Sequence, residues 1–285
     1  MAISAQLVKR LREETDAPMM ECKRALEQAE TEGASGDDAL VARGKEILRE
    51  GGKMAAGKRQ DRTTAFGTIA VSKSGNSVAA VSLLCETDFV ARNEDFIALA
   101  QTLANHFADN EPSSDPLQDM VAGKSVKEYL EEAVGKIREN IQLGGAKRIT
   151  SSDVIGFYLH HDKAKAALVA ISGANGNGEE LANKIGTQVV ALRPEYISKE
   201  QVDQVRLSKE IEIEKQKAID DGKPAEMAEK IAQGKVNKEF LQAVVLLEQP
   251  WYAELSKKVG DVVGSAKVTK FIRLEAGKPV VESAV

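Results

Sequence analysis

Two adjacent histidines, two cysteines and two glycine-rich stretches are the residues of this chain whose types could carry chemistry, and their spacing assembles no site. The "GKS" at 123–125 would cradle a phosphate only with glycine at position 118, where Gln118 stands. In "GANGNGEE", Gly176 and Gly178 match the first two places of a dinucleotide fingerprint, but Leu181 fills the third, so the stretch reads as a flexible turn. His160 and His161 fall on an expected strand, where neighbouring side chains point to opposite faces and cannot chelate one metal. His106 sits on an expected helix. Cys22 and Cys85 form no CxxC pattern, which suggests neither a zinc knuckle nor a disulfide framework and fits a reducing compartment. With no nucleophile elbow and no HExxH, the chain reads as a protein that is not an enzyme and carries no metal or cofactor.

A different signal comes from apolar residues in exposed places. "CETDFVARNEDF" sets Thr87 and Asp88, which suit a helix start, directly before Phe89. Phe89 either staples the helix to the sheet or protrudes as an aromatic anchor for a partner; Val90 can do part of the inward packing. On the second helix, Cys22, Ala25, Leu26 and Ala29 define the buried face, which leaves Met20 nearly opposite, flanked by Met19 and Lys23. Methionine there either contacts a partner or packs on a neighbouring domain, and both readings put something against that surface.

The elements that must position these residues follow from periodicity. Ser4 caps a helix with Leu7, Val8 and Leu11 on one stripe; Asp16 as N-cap and Pro18 in the first turn open the second; a third spans about 37–49 and ends at Gly51 and Gly52. Gly-rich, charged text up to residue 64 marks a linker. "AFGTIAVS" and "SVAAVSLLCET" read as strands around the hairpin signal "KSGN", followed by helices over about 94–107 and 126–141. "DVIGFYLHH" and "KAALVAISG" then repeat the strand pair and "GEELANKIGTQVVAL" the helix, which implies an α+β core of two similar halves. Residues 198–234 are charged helix-formers with a narrow apolar stripe, broken at Gly222 and Pro224, as a projecting two-helix hairpin requires. The tail returns to core-like text: an apolar segment, a short helix near "KKVGDVVG" and a final strand "KVTKFIRLEAG".

Composition bounds the function. A hydrophobic content of 42% over 285 residues supports a sizeable core, and with aromatics at only 4% that core is built from Ala, Val, Ile and Leu. A net charge of −5 argues against nucleic acid as the main partner. The local exception is Arg43, Lys45, Arg49, Lys53, Lys58, Arg59 and Arg62, either a solvated helix end or an anion site; the latter would make the chain an RNA-binding or ribosome-associated scaffold. The N-terminal stretch has no continuous apolar h-region and no run approaches the ~18 apolar residues of a membrane span, so a cytoplasmic location is expected.

"LVKRLREETDAPMMECKRALEQA", "CETDFVARNEDF", "IRENIQL", "DGKPAEMAEKIAQGK" and "KFIRLEAGK" occur in the order found in bacterial translation elongation factor Ts, and the resemblance covers nearly the whole chain. It implies a guanine-nucleotide exchange factor acting on elongation factor Tu, in its GDP-bound and nucleotide-free forms. It also implies no chemistry or cofactor of the chain's own, and no direct contact with nucleotide, nucleic acid or membrane. The implied fold is α+β: a three-helix N-terminal module (1–52), a linker (53–64), a core subdomain (65–145), a second related subdomain with a short C-terminal module (146–197 and 235–285), and a protruding helical hairpin (198–234). Matched position by position, Asp88 and Phe89, between Thr87 and Val90, are implied to approach the partner's magnesium and phosphate region as a displacing wedge. Arg12, Met19, Met20 and Lys23 would touch its nucleotide domain, His160 would contact it near the same place, and Ile137 would help form that surface. Tyr252 or Ala253 would supply the C-terminal contact. The sequence departs from the family where Asp16 replaces a usual glycine and where "QPWYAELSKK" replaces "QPF" followed by aliphatic residues.

Overall fold

The computed structural model describes residues 3–174 and 176–285; Met1, Ala2 and Asn175, which the readings of the N-terminus and of the 173–180 turn include, lie outside the described residues. Three helices come first: α1 (Ala5–Thr15), α2 (Met19–Thr31) and α3 (Asp37–Arg59). Ser4 caps α1, its Oγ accepting the Leu7 N–H at 3.2 Å. The stripes read from the sequence on α1 and α2 close with Leu40 and Val41 of α3 into one small core.

β1 (Phe66–Ser74) and β2 (Ser77–Cys85) then form a hairpin around residues 75 and 76, with Gly75 at φ 51. The chain continues through α4 (Asp88–Ala91), α5 (Glu94–Asp109), the ribbon β3 (Met120–Val121) and β4 (Lys124–Ser125), α6 (Val126–Ile137) and β5 (Gln142–Thr150). Next come β6 (Val154–Leu159), β7 (Lys165–Ser172) and α7 (Gly178–Leu192), then the hairpin of α8 (Gln204–Asp220) and α9 (Ala225–Lys235). The end comprises α10 (Leu241–Val244), β8 (Pro250–Trp251), β9 (Glu254–Lys258), α11 (Val259–Val263), β10 (Lys267–Glu275) and β11 (Val281–Ala284).

The main strands form two antiparallel sheets, in the orders β1-β2-β5 and β11-β10-β7-β6. Because side chains alternate along a strand, β2 turns Val78 and Ala80 to one face and Ala79, Val81 and Leu83 to the other, and β7 divides its residues likewise. Val78 and Ala80 meet Ala166, Leu168 and Ala170 between the sheets. The opposite faces are covered by helices, β2 by Phe96, Leu103 and Phe107 of α5 and β7 by Ile185 and Val189 of α7. Burial on both faces is why these strands read as nearly continuous apolar runs. The result is a mixed α+β protein of small antiparallel sheets sandwiched between helices, with the N-terminal helices beside it.

Several boundaries differ from the sequence reading, each for a packing reason. Asp16 is not the N-cap of α2: it ends α1 in the left-handed region at φ 54, donating its N–H to Arg12 O at 2.7 Å, and α2 begins directly after Pro18. α3 does not stop at Gly51 and Gly52 but runs to Arg59, through much of the expected linker. Gly52 is buried against α6, where a Cβ would lie 3.0 Å from Glu131 O, so the glycine serves helix approach and not termination. α6 ends at Ile137, because Arg138 turns left-handed at φ 69, and residues 142–150 form β5, an unanticipated strand. β5 crosses the expected 145/146 boundary and pairs along β2 from Ser77 to Leu84. Its Gly144 and Gly145 hide the strand signal, yet a Cβ on Gly144 would sit 3.0 Å from Leu84 Cγ and Ser82 Oγ.

The hairpin matches its narrow stripe. Only Ala218, Ala228 and Ala232 are buried within α8 and α9, and Lys215–Glu229 (2.9 Å) and Lys235–Glu214 (3.2 Å) pair across the seam. Gly222 supplies the turn at φ 79.

Candidate functional site

The turn that holds Phe89 is built by local polar chemistry. Thr87 is extended (φ −125, ψ 155) and its Oγ1 accepts the Val90 N–H at 3.3 Å, which starts the single-turn helix α4. Val90 and Ala91 pack on the core of the first sheet, whereas Phe89 is 83% exposed. The staple alternative therefore gives way: the inward contact belongs to Val90, and the aromatic ring stands in solvent. Asp88 lies 3.5 Å from Arg92 one turn on.

Beneath the turn, Cys85 donates its thiol to Thr87 O at 3.2 Å. Burial, reinforced by the nearby Glu139 carboxylate, pushes that thiol up to about 12, so it stays a neutral donor. The loop after α6 grips the same segment. Glu139 accepts from the Glu86 and Thr87 amides, Glu86 accepts from the Asn140 amide at 2.7 Å, and the buried Asn140 side chain donates to Gln60 O and Arg62 O. Three distant segments meet here.

The same end of α6 reaches α2. Arg138 pairs with Glu21, and Lys136 lies 3.4 Å from Asp16. Met19 and Met20, 52% and 60% exposed, occupy the first turn of α2, with Arg12 and Lys23 exposed nearby in sequence, and Lys23 lies 3.7 Å from Glu27. The end of α6 is thus tied to α2 through Glu21 and to the Phe89 turn through Glu139.

His160 is placed differently from the sequence reading. β6 stops at Leu159, and the next residues fold back in a tight turn in which the His160 N–H donates to Lys165 O and Lys163 N–H to His160 O. The two histidine rings consequently lie 4.2 Å apart instead of on opposite faces. His160 Nδ1 is 2.9 Å from Asp162 Oδ1, at an angle too oblique for a hydrogen bond. Partial burial opposes ionisation of Asp162, but the Ala164 N–H and His160 outweigh it and hold the carboxyl below its usual range. The turn docks on β1, where Ile69 N–H donates to Lys163 O at 2.6 Å.

Tyr252 belongs to neither group. It is 39% exposed beside β8, its N–H donates to Gln188 Oε1 of α7 at 2.9 Å, and its ring packs on Trp251; the neighbouring Ala253 is exposed. The basic run is largely matched by carboxylates: Arg43 with Glu32 and Glu46, Lys45 with Glu14, Arg49 and Lys53 with Glu128, and Arg62 with Glu86. That leaves little free cationic surface for a phosphate backbone. Among the described residues no His, Cys, Asp and Glu cluster could hold a metal ion, and no helix is long and apolar enough to cross a membrane.

Against known proteins, the family model "Elongation factor TS" matches residues 86–278. The chain belongs to the elongation factor Ts family. It is 39% identical to "Elongation factor Ts" of Hahella chejuensis (strain KCTC 2396) over 288 residues, covering 100% of this chain and 95% of that protein. It is 36% identical to "Elongation factor Ts" of Aquifex aeolicus (strain VF5) over 296 residues, covering 97% and 99% of the two chains. The stretch matched to the elongation factor Ts model opens at Glu86, the first residue of the gripped turn. Glu86, Glu139 and Asn140 were not singled out from the sequence. The sequence reading placed 139–140 inside a helix expected over about 126–141, which concealed their bracing duty.

Proposed function

We propose that this chain is the guanine-nucleotide exchange factor for elongation factor Tu, and that it promotes GDP release by wedging Phe89, with Thr87, Asp88 and Val90, into the partner's magnesium and phosphate region. The elongation factor Ts family is the nucleotide exchange factor for elongation factor Tu and is not a family of enzymes. The observation that carries the wedge is the 83% exposure of a phenylalanine on a turn fixed from several sides.

Magnesium holds a nucleotide through near-ideal octahedral geometry, so small displacements of the loops around it weaken binding severely. Filling an apolar slot with Phe89 contributes about 1.5–3 kcal/mol, enough to hold such a displacement. Asp88 adds negative charge beside the phosphates and the metal. Arg12, Met19, Met20, Lys23 and Ile137 are read as contacts to the nucleotide domain, the exposed methionines adapting to whatever surface they meet. His160 offers a second approach from the β6–β7 turn, and Tyr252 a separate C-terminal contact. Coupling is reciprocal, so the factor binds nucleotide-free partner more tightly than GDP-bound partner, and incoming nucleotide drives it off. The chain needs no nucleotide site, cofactor or nucleic acid for this, and it works in the cytoplasm.

The division of labour is part of the proposal: the N-terminal helices and the two sheets with their covering helices present the surface, while the hairpin (198–234) projects from it. The decisive experiment loads elongation factor Tu with labelled GDP and adds this protein. Release is expected to accelerate in proportion to the protein until saturation; release at the unassisted rate with a cognate partner would sink the reading.

A further inference from the structure

We infer that Glu139 is a positioning residue for nucleotide exchange: its carboxylate locks the backbone of residues 86–87 so that Phe89 is presented in one orientation. The inference rests on the wedge reading above and names the group that makes the wedge rigid. Glu139 Oε2 accepts both the Glu86 N–H and the Thr87 N–H at 3.0 Å, and Oε1 accepts the Thr87 hydroxyl at 2.7 Å. Among the described residues no lysine or arginine pairs with this carboxylate, and Arg138 beside it is turned to Glu21. Its partners are therefore the two amides and the hydroxyl of the turn itself.

The grip is mutual. While Glu139 takes the amides of 86 and 87, Glu86 Oε1 takes the amide of Asn140 at 2.7 Å, so two chain segments clasp each other by carboxylate-to-amide bonds in both directions. Such charge-assisted bonds are roughly twice as strong as neutral ones. The clasp stands on a firm base, because Val134 and Ile137 of α6 pack on the core of the first sheet. The Thr87 hydroxyl, which donates to Glu139, also accepts the Val90 N–H, so the carboxylate orients the very cap from which Phe89 projects. A four-residue helix has too few internal bonds to hold an aromatic lever by itself. Without the clasp, pushing Phe89 into a partner would bend the turn instead of displacing the partner's loops.

The test measures GDP release from elongation factor Tu at saturating full-length protein, for wild type, Glu139→Ala, Glu139→Gln, Phe89→Ala and the Phe89→Ala/Glu139→Ala double variant. Thermal unfolding and hydrogen exchange at the Thr87 amide accompany it. Glu139→Ala is expected to slow accelerated release about tenfold, the scale of one lost charge-assisted interaction, to speed Thr87 amide exchange, and to leave the melting temperature within a few degrees. Glu139→Gln keeps an oxygen for the two amides and is expected to recover most of the rate. Adding Glu139→Ala to Phe89→Ala is expected to cost nothing more, because a positioning residue acts through the group it positions. Should Glu139→Ala fail to fold, Thr87→Val removes the hydroxyl's bonds to Glu139 and to the Val90 N–H and must slow release in the wild-type background but not in the Phe89→Ala background. Wild-type release by Glu139→Ala, or losses from Glu139 and Phe89 that multiply, would overturn the inference alone. A wild-type protein that leaves release unaccelerated would overturn the exchange reading and this inference with it.

Discussion

Gly52 of α3 and Gly135 of α6 face each other so closely that a Cβ built on Gly135 would lie 3.2 Å from the Gly52 Cα. This contact joins the N-terminal helices to the helix whose end carries Ile137, Arg138 and Glu139. Its neighbour Gly51 has nothing within 4 Å of a Cβ. Adjacent glycines in one helix therefore answer to different physics.

Substitutions at the two positions are expected to have opposite signs. Gly51→Ala is expected to stabilise by about 0.5–1 kcal/mol, because glycine costs that much in a helix interior. Gly52→Val is expected to destabilise by about 1–3 kcal/mol through overpacking against Glu131 O. Thermal unfolding of both variants checks the pair, and a Gly52→Val protein as stable as wild type would mean that the two helices separate freely.

Phe89→Ala separates stability from function. With 83% of the residue already exposed, its removal is expected to leave the melting temperature unchanged within a degree or two. Truncating a central aromatic hot spot commonly costs about 2 kcal/mol or more, so accelerated GDP release is expected to fall at least about tenfold. Equal loss of both properties would instead assign Phe89 a structural duty.

Acid should erase one contribution to hairpin docking. Arg206, at the start of α8, holds the Glu195 carboxyl below its usual range by two hydrogen bonds, of 2.6 and 3.2 Å. A depressed folded pKa stabilises the protein above the unfolded value, and that stabilisation is lost as pH falls through the folded value. Glu195→Gln is thus expected to lower the melting temperature slightly at pH 7, and the gap from wild type should narrow once the pH falls below the ordinary carboxylate value of about 4.3 and close below the depressed folded value. The effect is small because both side chains are over a third exposed. A gap that stays constant as the pH falls through the acid range would assign it to lost packing.

What was legible in the sequence was whatever a single segment decides. The stripes of α1 and α2, the cap at Thr87 and the glycine turn at 222 depend on neighbours three or four residues away, and they appear where spacing placed them. What was hidden depends on partners far along the chain. β5 is a strand because β2 lies beside it, and α3 runs past Gly51 and Gly52 because α6 covers the second glycine. Glu139 matters through amides more than fifty residues away in sequence. The histidine pair failed as a strand for a similar reason, since the turn that ends β6 is fixed by its bond to β1. Phe89 lies between these cases: its helix start was readable, but only the packing of Val90 showed which way the ring points.

Asp16, where the resemblance implies a glycine, offers a measurement. It sits at φ 54, a conformation that costs a residue with a Cβ and that glycine adopts freely. Its compensation is an ion pair with Lys136 at 3.4 Å between side chains 78% and 44% exposed, a geometry that contributes little. Asp16→Gly should therefore stabilise the protein by about 0.5–1 kcal/mol, raise the melting temperature and leave GDP release unchanged, because Met19 and Met20 keep their places on α2. A lower melting temperature would show that the contact with Lys136, which ties the first two helices to the end of α6, outweighs the relief of backbone strain.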